Sequence, residues 1–112
     1  MGKWTQQEIF DVVATHLLAQ GAKSVGWTGE CLYRGPKGLK CAIGVLISDE
    51  LYSPEIEGAS ISCLRFDVYL PFINRDKFPF LEKLQRVHDK CPVEDWRDEL
   101  AKVAKKYALK MP

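Results

Sequence analysis

Apolar residues recur every three to four positions near the N-terminus, a spacing that predicts an amphipathic helix from Gln6 to Gln20. Thr5 and Glu8 are spaced as a capping box, which marks the start of the helix. Gly21 suits the left-handed conformation that commonly ends one. The apolar stripe of this predicted helix consists of Ile9, Val12, Val13, His16 and Leu17.

Two more amphipathic patterns occupy the C-terminal part of the chain. Pro79 suits the first turn of a helix that ends before Pro92. Its inward positions are Leu81, Leu84, Val87, His88 and Cys91. A last helix has an apolar stripe from Val93 to Tyr107, with acidic residues near its start and lysines near its end, as the helix dipole favours. A short helix carrying Ile61, Leu64 and Val68 is expected before Pro71, and a buried one over residues 42–52.

Two short runs, at residues 31–34 and 39–42, flank a turn sequence near the middle of the chain. Pro36 suits the second position of a type I turn, and Gly38 suits the left-handed residue that follows it. This pattern predicts an antiparallel hairpin in which Arg34 lies opposite Lys40, and Tyr33 opposite Cys41. The expected fold class is therefore α+β: mostly helical, with four to five helices packed around a small two-stranded antiparallel hairpin. The 112 residues correspond to one domain.

Composition and net charge favour a globular protein over one that binds nucleic acid or membrane through its overall charge. Hydrophobic residues make up 46% of the chain, which predicts a packed core, and the net charge of +1 gives no overall attraction to nucleic acid or membrane. The start of the chain from Met1 lacks the apolar segment of a signal peptide, and no apolar run approaches the ~20 residues of a membrane span. A cytoplasmic location is therefore expected, where the four cysteines should be reduced. No CxxC pair is present, so the sequence signals neither a zinc ribbon nor a thioredoxin-type site.

The predicted hairpin is the candidate binding site. Placing Arg34 opposite Lys40, with Lys37 at the tip, sets like charges together, so an anionic group should lie nearby. One candidate is internal, because residues 41–64 contain several acidic residues and no Lys or Arg. The other is an external phosphate, nucleotide or acidic protein surface, for which Tyr33 and Trp27 could add a stacking surface. The candidate binding residues are Tyr33, Arg34, Lys37 and Lys40.

Metal binding and cysteine chemistry are the alternatives to an anion site. His88 and Cys91 have the spacing of half a zinc site, and Cys31 and Cys41 on one face of the hairpin could supply the other half. Burial in the core explains the same residues equally well. A catalytic cysteine would need a paired histidine, and each histidine lies on an apolar stripe. No catalytic residue, metal ligand or cofactor is therefore assigned, which favours a non-enzymatic protein.

From Cys31 to Tyr52 the chain carries the motif C-x-Y-R-G-P-x-G-L-K-C-A-I-G-x-L-I-x-D-E-x-Y, which continues to Glu57-Gly58. A second pattern, L-Q-x-x-H-D over residues 84–89, is followed by Trp96. Together they resemble a group of short, functionally uncharacterised proteins encoded by tailed bacteriophages and prophages. The resemblance implies a phage accessory protein made in a bacterial host cytoplasm, and it transfers no catalytic role to any residue.

The expected function is that of a non-enzymatic phage accessory protein that binds and modulates a host or anti-phage defence protein. One alternative is a module that sequesters a nucleotide-like anion at Arg34, Lys37 and Lys40. The other is a small cysteine- or metal-dependent enzyme. A homo-oligomer is compatible with each, and no membrane partner is expected. A cluster of His88 with a cysteine in a cleft would favour the enzyme, and an exposed apolar surface would favour protein binding.

Overall fold

A computed structural model describes residues 3–112. Met1 and Gly2, which begin the segment predicted to lack a signal peptide, lie outside the described residues. This part of the chain contains four α-helices: α1 (Gln6–Gln20), α2 (Phe66–Tyr69), α3 (Phe78–Lys90) and α4 (Trp96–Lys106). Six short 3-10 turns, Pro36–Gly38, Gly44–Leu46, Pro54–Ile56, Ile61–Cys63, Arg75–Lys77 and Val93–Asp95, connect them. None of the described helices has the length and apolar character needed to cross a membrane.

Helix α1 has the predicted boundaries and the predicted capping box. The Glu8 N–H donates to Thr5 Oγ1 over 3.1 Å, and the Thr5 N–H donates to Glu8 Oε1 over 2.8 Å. At the other end Gly21 is left-handed with φ 61°, and its N–H donates to the Leu17 carbonyl. Both ends of the helix therefore satisfy backbone groups that would otherwise lack partners.

The core lies where α1, α3 and α4 pack together. Fully buried side chains from each helix meet there, including Phe10, Leu84 and Trp96. The Trp96 indole N–H donates to the Cys91 carbonyl over 3.2 Å, which satisfies the one polar atom of this side chain inside the core. The apolar stripes predicted for the long helices thus form one continuous core.

The predicted two-stranded hairpin is wrong, and with it the α+β class: residues 3–112 contain no β-strand, and the fold is helical. Arg34 and Lys40 do pair, but only as an isolated bridge. The next bond of the ladder would join the Tyr33 N–H to the Cys41 carbonyl, but the Glu57 carboxylate accepts that N–H over 2.8 Å, and also the outward-facing N–H of Arg34 over 3.0 Å. The Tyr33 amide is therefore not available to residues 39–42.

The buried helix predicted over residues 42–52 is also wrong, and a single 3-10 turn, Gly44–Leu46, stands in its place. Two backbone amides of the predicted helix bond to side chains instead: the Ile43 N–H donates to Gln85 Oε1, and the Gly44 N–H donates to Cys41 Sγ. The short helix expected before Pro71 is divided into a 3-10 turn and α2, and Val68, one of the apolar residues it was expected to carry, is exposed.

Candidate functional site

Two basic side chains of the predicted binding site, Arg34 and Lys40, face an acidic residue of the same chain, Asp49. Arg34 Nη1 lies 2.6 Å from Asp49 Oδ1, and Arg34 Nη2 donates to the Ile47 carbonyl over 2.5 Å. The guanidinium also lies over the Tyr52 ring, 4.8 Å from its centroid. Lys40 Nζ is 3.9 Å from the same Asp49 oxygen. The internal counterpart considered for this basic pair is therefore present in the structure.

The other two predicted site residues lie apart from this pair. Tyr33 is buried, and its hydroxyl donates to the Ala59 carbonyl over 2.6 Å. Lys37 is exposed on the turn in a left-handed conformation with φ 62°. The structure therefore brings Arg34 and Lys40 together around Asp49, and does not bring all four residues into one pocket.

A second polar cluster gathers around His88, which is fully buried in α3. A sulfur of Cys31, a ring nitrogen of His88 and a carboxylate oxygen of Asp89 lie within 4.8 Å of one another. The Ser24 N–H donates to His88 Nε2 over 2.9 Å, so Nε2 carries no proton in the neutral ring. The proton is then on Nδ1, which donates to Asp89 Oδ1 over 2.8 Å.

This tautomer decides what the cluster can do chemically. Because Nδ1 already holds a proton and Nε2 accepts from Ser24, His88 has no free lone pair with which to accept the Cys31 proton. A metal on Nδ1 would require a proton on Nε2, which would then face the Ser24 N–H, donor against donor. The half-site of His88 and Cys91, weighed as an alternative from the sequence, is not in this cluster, which includes Asp89 and not Cys91.

Gln85 connects the members of the cluster. Its Nε2 donates to Cys31 Sγ over 3.1 Å and to Asp89 Oδ1 over 2.9 Å, while the Ile43 N–H donates to its Oε1. A hydrogen bond with Cys41, together with burial, raises the pKa of the Cys31 thiol. Burial opposes ionisation of Asp89, but the hydrogen bonds from His88, Cys31 and Gln85 lower its pKa overall. The cluster therefore holds a protonated thiol beside a carboxylate, which is a bonded network rather than an activated nucleophile.

A cleft of about 400 Å³ opens beside this network. Cys31 and Asp89 line it, and two further carboxylates, Glu30 and Glu82, give it an acidic character. Arg86 is the basic residue in its lining.

The rim of the cleft includes a tight turn over residues 26–30, here called the Trp27 turn. Its ends are joined by hydrogen bonds from the Gly26 N–H to the Glu30 carbonyl and from the Gly29 N–H to the Gly26 carbonyl, over 2.8 and 3.1 Å. The Glu30 carboxylate closes the turn by accepting the backbone N–H and the hydroxyl of Thr28. These bonds lower the pKa of Glu30, so the carboxylate stays charged. Gly29 has φ 84°, which favours glycine.

Trp27 projects from this turn into solvent, with a relative accessibility of 102%. The two other tryptophans are half-buried Trp4 and fully buried Trp96. Trp27 is therefore the one tryptophan of the three whose indole is fully exposed. It lies on a turn that is closed by the turn's own hydrogen bonds.

Sequence reasoning noted some of these residues and missed others. The sequence predicts Trp27 only as an added stacking surface for the hairpin. Gln85, His88 and Asp89 are all in the L-Q-x-x-H-D pattern, so that pattern was a usable signal for the network. Ser24 had no signal, because it acts through its backbone N–H, which every residue but proline has.

Comparison of the chain with protein-family models, with curated proteins and with solved structures gave no match. The resemblance to phage and prophage proteins therefore stays a prediction from the motif.

Proposed function

We propose that this protein acts by binding another protein, with Trp27 as the anchor of the interface. The observation that carries the proposal is the full exposure of the Trp27 indole. Tryptophan is enriched among the residues that contribute most binding energy at protein interfaces, because it buries a large apolar area while ordering few side-chain torsions. The hydrogen bonds that close the turn add preorganisation, since they limit the backbone entropy lost on binding.

Charge complementarity indicates the chemistry of the partner. The charged Glu30 carboxylate closes the Trp27 turn and also lines the adjacent cleft, together with Glu82 and Asp89. A partner with an apolar pocket for the indole, flanked by Lys or Arg, would meet this surface with opposite charge. We therefore propose a partner surface that is basic around an apolar pocket.

The biological identity of the partner is proposed from the motif resemblance. A phage accessory protein in a bacterial cytoplasm would meet host proteins and anti-phage defence proteins, and binding would modulate one of them. The arrangement at His88 supports a non-enzymatic protein, since the histidine has no free lone pair for the neighbouring thiol.

The test is co-purification from bacterial cells that express the protein, followed by a titration with the purified candidate partner. The matched control for Trp27→Ala is Phe72→Ala, which removes a 48% exposed aromatic from another part of the surface. We expect Trp27→Ala to weaken binding about 30-fold or more, as for a hot-spot residue, and Phe72→Ala to leave it nearly unchanged.

Equal affinity of wild type and Trp27→Ala for every partner that co-purifies would contradict the proposal. Self-association that is lost in Trp27→Ala, measured by sedimentation, would instead identify the partner as a second copy of this chain. Both variants should retain the wild-type melting temperature to within a few degrees, because neither residue belongs to the core.

A further inference from the structure

Helices α3 and α4 each present a row of basic side chains to the same groove. On α3 these are Lys83, Arg86 and Lys90, at positions i, i+3 and i+7, which share one helix face. On α4 they are Lys102 and Lys106, at i and i+4. All five are exposed, and the two rows come from helices that pack against each other in the core.

The groove between these rows has a volume of about 370 Å³. Val87, Cys91 and Val103 supply its apolar lining. Glu99 is the acidic residue among those that line it, and it accepts a hydrogen bond from Lys102 over 2.9 Å. Four of the five basic residues in the lining therefore have no acidic partner within that lining.

The basic side chains are close enough to repel one another. Lys83 and Lys106 line the groove from opposite helices, and the charge of Lys106 lowers the pKa of Lys83. By contrast, Arg34 and Lys40 share Asp49 in the predicted binding site. The predicted site thus contains its own acidic counterpart, whereas the lining of the α3–α4 groove places five basic side chains around one acidic one.

We propose that the α3–α4 groove binds a compact, multiply charged phosphate group, such as a di- or triphosphate. The rows run for about two helical turns, or ~10 Å, which matches a short phosphate chain. Arginine and lysine are the side chains that bind phosphate by charge-assisted hydrogen bonds. The lining includes no aromatic side chain on which a base could stack, so the phosphates rather than a base would be recognised. This inference is independent of the role proposed for Trp27.

Isothermal titration of the full chain with inorganic triphosphate at low ionic strength tests the proposal. The variant is Lys83→Gln with Lys106→Gln, and the control is Lys105→Gln with Lys110→Gln. The control removes the same charge from the same end of the chain at exposed positions outside the lining of the groove. We expect saturable binding that weakens steeply with salt. It should fall about tenfold or more in the groove variant and by about twofold or less in the control.

A melting curve supplies a second readout with the opposite sign. Because Lys83→Gln with Lys106→Gln relieves repulsion, its melting temperature should be equal to or above that of the wild type while its affinity falls. Loss of folding in this variant would contradict the repulsion on which the proposal rests.

Further ligands separate the sources of phosphate. Equal affinity for triphosphate and for a nucleoside triphosphate would support recognition of the phosphate chain alone. Binding of a single-stranded oligonucleotide more than about tenfold tighter than triphosphate would replace the compact ligand with a nucleic-acid backbone. No saturable binding of triphosphate at millimolar concentration, or an equal loss in the control, would overturn the proposal.

Discussion

The helical ends of the chain and its middle, residues 21–77, are stabilised in different ways. Helices α1, α3 and α4 satisfy their own backbone and bury apolar stripes against one another. In the middle region, side chains take the place of many backbone acceptors that a strand or helix would supply. The side-chain oxygens of Gln20, Glu57 and Gln85 each accept hydrogen bonds from backbone N–H groups of this region. The middle region therefore depends on single polar side chains, whereas each helix depends on a repeated pattern.

The largest effect is expected for His88→Ala, because this α3 residue joins the two regions. The change leaves the Ser24 N–H without its acceptor, removes one of the donors to Asp89 and opens a cavity beside Trp96. We expect the free energy of unfolding to fall by about 3 kcal/mol or more, measured by chemical denaturation. His16→Ala is the control, since His16 is half-buried with one long contact, 3.4 Å, to the Lys40 carbonyl. Equal losses for the two variants would contradict a special role for His88.

A smaller loss is expected for Glu57→Ala. Glu57 accepts the amides of Tyr33 and Arg34 and the hydroxyl of Tyr52, the last over 2.6 Å. Without the carboxylate these donors lose their partner, and the free energy of unfolding should fall by about 2 kcal/mol. The exposed neighbour Glu55 bonds only within its own turn, so Glu55→Ala should change stability by less than about 0.5 kcal/mol. A loss no larger than that of Glu55→Ala would show that another group satisfies these donors.

Arg34→Ala tests the internal counterpart of the basic pair. Removing the guanidinium breaks the contacts with Asp49, Ile47 and Tyr52, and we expect a loss of about 1 kcal/mol. Added salt should reduce the difference between variant and wild type, since it screens the exposed Asp49. Lys37→Ala, on the same turn, should leave the melting temperature unchanged. A more stable Arg34→Ala protein would indicate that relief of repulsion outweighs these contacts.

The contrast between the two regions also explains how far the sequence alone could predict the structure. Thr5, Glu8 and Gly21 act through local backbone geometry, so the limits of α1 followed directly from their spacing. The hairpin prediction was wrong because Glu57, the competitor for the Tyr33 amide, is more than twenty positions away in sequence. Local propensity does not contain such a long-range acceptor.

The candidate sites show the same limit. Trp27 is one of three tryptophans in the sequence, and only the fold distinguishes the exposed one from buried Trp96. The lysines of α4 were explained by the helix dipole, and their proximity to Lys83 depends on how α3 packs against α4. Surface chemistry of this kind arises from packing between elements rather than from a motif.

The most direct test of the proposed interface is fluorine NMR of protein labelled with 5-fluorotryptophan, alone and in complex with a purified partner. Trp27→Phe assigns the Trp27 resonance by its loss. In the free protein this resonance should show the largest shift between H2O and D2O, because its indole is fully exposed while Trp96 is buried. We expect the complex to abolish that solvent shift at Trp27 and to leave the Trp96 resonance in place. A Trp27 resonance that keeps its position and its solvent shift in the complex would contradict the central claim.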